Sequence, residues 1–268
     1  MKYLLLIPAA VFCAVFVAWP MFEVVRLSLT KTDYITTTFV GLRNFTAMLH
    51  DPAFLRSVLN SGIYIALIVP MQTGAALLVA LVASNLPKRW QDATRIVFYV
   101  PVLAAGIIIA QVWRWIFHLD GLANWILGTD IAWFARWFTG IPAISLIVAM
   151  AGVGGAIIIL LASILSVNRS ILESATIDGA SRRQIALRVV IPTIAPTIAL
   201  VALLAAIAAP QIFETIYALA PYEYTATMAF RIYQDGFMTS HYGRAAAEAV
   251  AMLGLILAMT WAKNRIRV

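Results

Sequence analysis

Residues 137–168 read WFTGIPAISLIVAMAGVGGAIIILLASILSVN, 32 consecutive positions without a charged side chain. About 20 predominantly apolar residues suffice for a helix to cross the ~30 Å hydrocarbon core of a bilayer. Working outward, the chain holds further charge-free runs at 3–22, 57–87, 96–113 and 189–213, of 20, 31, 18 and 25 residues. A last run, 245–262, is broken only by Glu248. Membrane β-strands would instead appear as alternating segments of about 10 residues, and none are present. The pattern predicts an all-α membrane protein with six transmembrane helices in a single domain spanning 1–268.

Composition agrees. The chain is 63% hydrophobic and 12% charged, with a mean hydropathy of +0.91; soluble domains run near half and a quarter. A water-soluble enzyme is excluded, and so is disorder, which needs low hydrophobicity and high charge. The first run follows Met1-Lys2, as a signal peptide would. It is long for that role and ends Ala18-Trp19-Pro20 without a small-x-small site, so it reads as an uncleaved first span. The single cysteine, Cys13, rules out an internal disulfide framework. His50, His118 and His241 are far apart, and no HExxH or CxxC occurs, so no metal site is expected.

Six spans put both termini on one side. That side collects Lys2, Lys88, Arg89, Arg95, Arg169, Arg182, Arg183, Arg188, Lys263, Arg265 and Arg267 against Asp92, Glu173 and Asp178. The positive-inside rule makes it cytoplasmic. The net charge of +7 is therefore mostly a topology signal, not a nucleic-acid footprint. On the outer side, 113–138 holds five of the eight tryptophans: Trp113, Trp115, Trp125, Trp133 and Trp137. Trp133, Phe134, Trp137 and Phe138 fall at helical spacing, which reads as an amphipathic helix in the outer interface or as a carbohydrate-stacking platform.

The longest cytoplasmic loop, 166–191, lies between the fourth and fifth runs. Ile171, Leu172 and Ala175 share one helical face. Gly179 suits a left-handed turn after that helix, and Ser181 suits the cap of a second. Small residues (Ser174, Ala175, Gly179, Ala180) stand beside Glu173, a carboxylate able to pair with a partner's arginine. By these residues alone the hairpin is either a docking surface or a simple connection.

The segment Glu173-Ser-Ala-Thr-Ile-Asp178-Gly179-Ala180, followed by Ile185 and Ile191-Pro192, resembles the EAA loop of binding-protein-dependent ABC importers, in the maltose/glycerol-3-phosphate type of carbohydrate-uptake permease. Ser174 and Ile191 are mild departures. The resemblance extends to Asn60-Ser61, Pro70 and Gln72, to Arg95 and Pro101, to Trp113–Phe117 with 121–124, and to Phe213–Tyr217, Thr227, Ile232-Tyr233 and Tyr242–Ala245. Ala218-Leu-Ala-Pro-Tyr222 departs from the Gly-Gly-Pro often found there.

The resemblance implies a MetI-like fold and a permease of the bacterial or archaeal cytoplasmic (inner) membrane. It implies a second homologous permease, an ATPase dimer, an extracytoplasmic solute-binding protein and a carbohydrate substrate. Glu173, Ser174, Ala175, Asp178, Gly179 and Ala180 would couple to the ATPase. No GxxxxGK[ST] phosphate loop is present, so this chain carries no cofactor and no catalytic residue; ATP and Mg2+ would belong to the partner ATPase. The substrate path would lie between the two permeases, contacted by the fourth and fifth spans, which points to Gly152, Gln211 and Glu214. Gln72 and Gln111 could line a path or bond a neighbouring helix. Glu248 reads either as an intramembrane functional acid or as the local partner of Arg244 one turn away. The rival classes are an ion-coupled secondary transporter, an intramembrane enzyme and a non-transporting assembly subunit. The first leaves the EAA-like loop unexplained; the second lacks paired aspartates, HExxH or GxSxG in its spans.

Overall fold

The computed structural model describes residues 6–33, 36–103, 106–219 and 222–265. Lys2, the start of the 3–22 run, Ala220-Pro221 and Arg267 lie outside these. Four helices are long and apolar enough to cross a membrane: Ile7–Ser28, Pro52–Ser84, Trp137–Leu165 and Tyr242–Lys263. Two bent pairs supply the rest. Lys88–Leu103 meets Gly106–Ile116 at 96°, and Arg182–Thr193 meets Ala195–Gln211 at 69°. With each pair taken as one span the count is six, one for every charge-free run.

The bends have sequence causes that charge counting does not see. Proline offers no N–H, and its ring opposes the carbonyl four residues back. Pro101 lies in a 3-10 turn, Val100–Leu103, where the third span leaves its first axis. Pro196 follows Ile194, which leaves the helical region at φ −95°, ψ 7°. The piece before that break holds Arg182, Arg183 and Arg188. Three guanidiniums belong at the aqueous surface, not in hydrocarbon.

The backbone groups into two compact units, Met1–Leu59 with Ala226–Ala258, and Asn60–Thr225 with Met259–Val268. In the second unit the fourth span is the axis. Its Ile157, Leu160 and Leu161 are fully buried against Ala76, Ala80 and Ala83 of the second span and Ile194 and Val201 of the fifth. Small residues let helix backbones approach, which is how helices gain packing contacts in a bilayer. Gly154 shows the limit: a Cβ there would fall onto the Phe98 carbonyl. Two polar contacts cross between elements in this core, as an apolar solvent favours. Tyr64 Oη donates to the Thr225 carbonyl at 3.1 Å, and the Ser163 and Thr197 hydroxyls bond at 2.9 Å.

The first unit adds a short hairpin to this helical fold. Strands β1 (Thr30–Asp33) and β2 (Thr36–Phe39) form an antiparallel hairpin after the first span. The Asn44 amide fixes its base, donating to the carbonyls of Ser28 (2.8 Å) and Thr30 (2.9 Å). Threonine-rich 30–39 favours strand, and it lies outside every charge-free run.

Candidate functional site: the cytoplasmic loop

The loop between the fourth and fifth spans is built from two capped helices. Asn168 caps Arg169–Ile177, its side chain accepting from the Ser170 N–H. That helix ends in a Schellman motif. Gly179 takes φ +78°, its N–H reaches the Thr176 carbonyl (3.1 Å), and the Ala180 N–H reaches that of Ala175 (3.0 Å). A left-handed residue with a Cβ costs roughly 1–2 kcal/mol, so glycine is the natural occupant. Ser181 then opens Arg182–Ile185 with a full capping box. Gln184 N–H donates to Ser181 Oγ (3.3 Å), and Ser181 N–H donates to Gln184 Oε1 (2.7 Å). Both local devices expected of 166–191 are present.

This geometry sorts the loop residues. Leu172 and Ile185 pack against the core of the second unit, anchoring both helices. Glu173, Ser174, Asp178 and Gly179 are exposed, while Ala175 and Ala180 are half-buried. Glu173 and Ile177 stand four residues apart on one face. Ile177 is 86% exposed, an apolar side chain offered to water on a membrane protein's aqueous side. Sequence reading missed it, because it lies off the apolar face of Ile171, Leu172 and Ala175. A cavity of about 980 Å³ opens behind the loop, with Arg169, Leu172, Thr176, Arg182 and Arg183 among its walls.

The four residues assigned to a substrate path do not form one cluster. Gly152 is met by the second span: the Gln72 amide donates to its carbonyl at 3.3 Å, and a Cβ there would sit 2.6 Å from Gln72 Oε1. So Gln72 and Gly152 seal a helix crossing. Gln211 is exposed and donates back to the Ile207 carbonyl at 2.8 Å. The Glu214 carboxylate lies over Gly106, at the N-terminal end of Gly106–Ile116, where a helix dipole favours negative charge. Gln111 is on that same helix, exposed.

The tryptophan-rich segment is not one interfacial helix. Trp133–Ala135 is a 3-10 turn, Arg136 is extended at φ −136°, ψ 150°, and the fourth span starts at Trp137. Phe117 stacks among Trp113, Trp133 and Phe134, whereas Trp115, Trp125 and Trp137 stay exposed. A buried Asn124 holds the turn. Its amide donates to the carbonyls of Leu119 (2.9 Å) and Ile131 (3.0 Å), and its oxygen accepts from the Trp133 indole (2.9 Å).

Glu248 has a wider circle than its helical neighbour. Arg244 Nε and Arg231 Nε each lie 3.7 Å from Glu248 Oε1. Arg231 also pairs with Asp51 (2.9 Å) and Asp235 (3.0 Å), and Arg244 pairs with the same two acids. Five ionisable groups, all in the first unit, are thus gathered from positions as far apart as 51 and 248. Among the described residues no group of acids, histidines or cysteines could hold a metal ion.

Comparison with known proteins fits this architecture. The chain is 29% identical over 271 residues to the sn-glycerol-3-phosphate transport system permease protein UgpA of Brucella abortus, covering 97% of this chain and 92% of that one. It is 28% identical to the sulfoquinovosyl glycerol transport system permease protein SmoG of Agrobacterium fabrum, covering 96% and 87%. A solved bacterial alginate ABC transporter, in complex with its alginate pentasaccharide-bound periplasmic protein, shares the fold. There the TM-score is 0.85 at 23% identity, over 99% of this chain and 93% of that one. A family model described as "Binding-protein-dependent transport system inner membrane component" matches residues 45–267. On that match, over most of its length and every span but the first, this chain belongs to the inner membrane components of binding-protein-dependent transport systems.

Proposed function

We propose that this chain is one of two homologous permeases of an ATP-driven importer for a carbohydrate or glycerol-phosphate, in the cytoplasmic membrane. An extracytoplasmic binding protein delivers the solute, and two copies of a separate ATPase subunit, holding ATP and Mg2+, drive the cycle. The observation that carries this reading is the 166–191 hairpin. Its helices are fixed by caps and by Leu172 and Ile185, yet its outer face presents Glu173 and Ile177 to water. A rigid projection with a carboxylate and an apolar knob suits docking into a cleft of a partner. Movement of that partner then becomes rigid-body movement of the spans on either side. Glu173 supplies the ion pair, Ala175 and Ala180 the close approach, Asp178 and Gly179 the turn, and Ser174 a small exposed surface. Gly152, Gln211, Glu214 and Gln111 remain assigned to the path, with Gly152 acting through Gln72 and Glu214 through its place beside Gly106.

The test is co-purification after mild solubilisation of the tagged chain from its native membrane. An ATPase and a second permease are expected with the unaltered chain. In Glu173→Arg combined with Ile177→Asp the ATPase is expected to be lost while the second permease stays. A chain that purifies alone in several mild detergents would overturn the assembly and return the case to ion-coupled transport.

A further inference from the structure

Beside the helix Gly106–Ile116 lies a cavity of about 480 Å³, lined by Gln111, Arg114, Trp115, His118, Asp120 and Gly121. Its size falls within the ~300–1,000 Å³ of small-molecule sites. By the charge bias it opens on the outer side of the membrane. Gln111, Arg114 and Trp115 lie at i, i+3 and i+4 on this helix, so they share one face, and His118 follows in the turn after Ile116. The neighbouring faces of this helix carry Ile107, Ile108 and Val112, exposed and apolar. The shared face is therefore a polar and aromatic break in an apolar surface.

Three observations give it the character of a ligand site. Trp115 is 80% exposed, its indole face open beside the cavity. Arg114 makes no hydrogen bond or ion pair among the described residues. The floor is held before anything binds. Gly121 makes a turn so tight that a Cβ would sit 2.5 Å from the Trp115 and Ile116 carbonyls. Asn124 pins Leu119 from below, and His118 stands 3.8 Å from Asp120. A preorganised pocket loses less free energy on ordering.

An open indole accepts the apolar face of a sugar ring. A guanidinium with no internal partner takes a carboxylate or phosphate in a charge-assisted fork. Gln111 and Asp120 offer the donor and acceptors that ring hydroxyls need. We infer that this pocket is an outer-mouth subsite for an acidic saccharide, with the ring on Trp115 and the acid group on Arg114. The inference rests on the carbohydrate reading above and narrows it. The competing occupant is an anionic lipid headgroup, since tryptophan and arginine also populate membrane interfaces.

The assembled importer, labelled with 5-fluorotryptophan in phosphatidylcholine nanodiscs, tests this by fluorine NMR. The probes are galacturonate, glucuronate, mannuronate and sn-glycerol-3-phosphate, with galactose as the neutral control. The Trp115 resonance is assigned by its loss in Trp115→Phe. Trp125, 79% exposed on a neighbouring turn, is the internal control. At least one acidic probe is expected to move Trp115 alone, with about tenfold weaker response to galactose. Arg114→Gln is expected to remove that preference. Silence of Trp115 towards all probes, joint movement of Trp115 and Trp125, or a response only when phosphatidylglycerol is added overturns the subsite. Uptake of the same probes into proteoliposomes separates the two readings. Saccharide uptake with a silent Trp115 sinks the subsite alone; no uptake of any of them, with the ATPase and the solute-binding protein present, sinks the carbohydrate reading itself.

Discussion

Glu248 is 1% exposed, with its Oε1 3.7 Å from the Nε of both Arg231 and Arg244. The cluster around it sets three carboxylates, Asp51, Asp235 and Glu248, against two guanidiniums. Removing a partner from a buried ion cluster costs about 3–5 kcal/mol, because a charge is left uncompensated. Arg231→Ala, which leaves three acids facing one arginine, should therefore lower the thermal midpoint of the detergent-solubilised protein sharply. Glu248→Gln, which keeps the shape and leaves two acids facing two arginines, should lower it far less. A scan in which Glu248→Gln is the more damaging change would show that the acid itself, not the charge balance, holds this region. The sequence displays the local half of this arrangement, since Arg244 and Glu248 lie one turn apart. The other half was hidden. Asp51 and Arg231 meet across 180 positions, and nothing in spacing or composition reports a contact of that range.

The hairpin at 166–191 shows which elements are legible and which are not. Caps and turns depend on a few adjacent residues, so Gly179, Ser181 and Gln184 could be read directly. The broken third and fifth spans could not be read from charge-free runs, although Pro101 and Pro196 stood in view; proline is common in membrane helices and often leaves them continuous. The 113–138 segment misled for a different reason. Helical spacing of aromatic residues cannot reveal that Gly128, in the left-handed region, ends the helix Leu122–Leu127 and that Asn124 captures the Trp133 indole. If the rigidity of the hairpin matters for docking, weakening its caps should weaken capture of the ATPase. Ser181→Ala removes a cap worth about 1 kcal/mol, and Gly179→Ala strains the turn by a similar ~1 kcal/mol. Each should reduce affinity for the purified ATPase about fivefold, a ratio matching ~1 kcal/mol. Ser181→Asp, an equally good cap, should restore it. Unchanged affinity in both weakened variants would mean that the hairpin orders only on docking.

For the whole molecule, topology turns on whether each bent pair crosses the bilayer or turns back. Crossing makes six spans and leaves 11 basic residues against three acidic ones on the cytoplasmic face, as the positive-inside rule favours. If the third pair turned back, everything after it would change sides, and Arg169, Arg182, Arg183 and Arg188 would face outward. Five single cysteines in a Cys13→Ser background decide between these. Phe39, Trp90, Leu127, Ile177 and Phe237 are all well exposed, and they follow the first five spans in turn. In right-side-out vesicles a membrane-impermeant maleimide should label Phe39→Cys, Leu127→Cys and Phe237→Cys. Trp90→Cys and Ile177→Cys should react only in inverted vesicles. Leu127→Cys grouped with Trp90→Cys would make the third pair re-entrant, and Phe237→Cys grouped with Ile177→Cys would do the same for the fifth. Either result would also break the coupling argument, since the hairpin transmits movement only if the helix after Pro196 continues across the membrane.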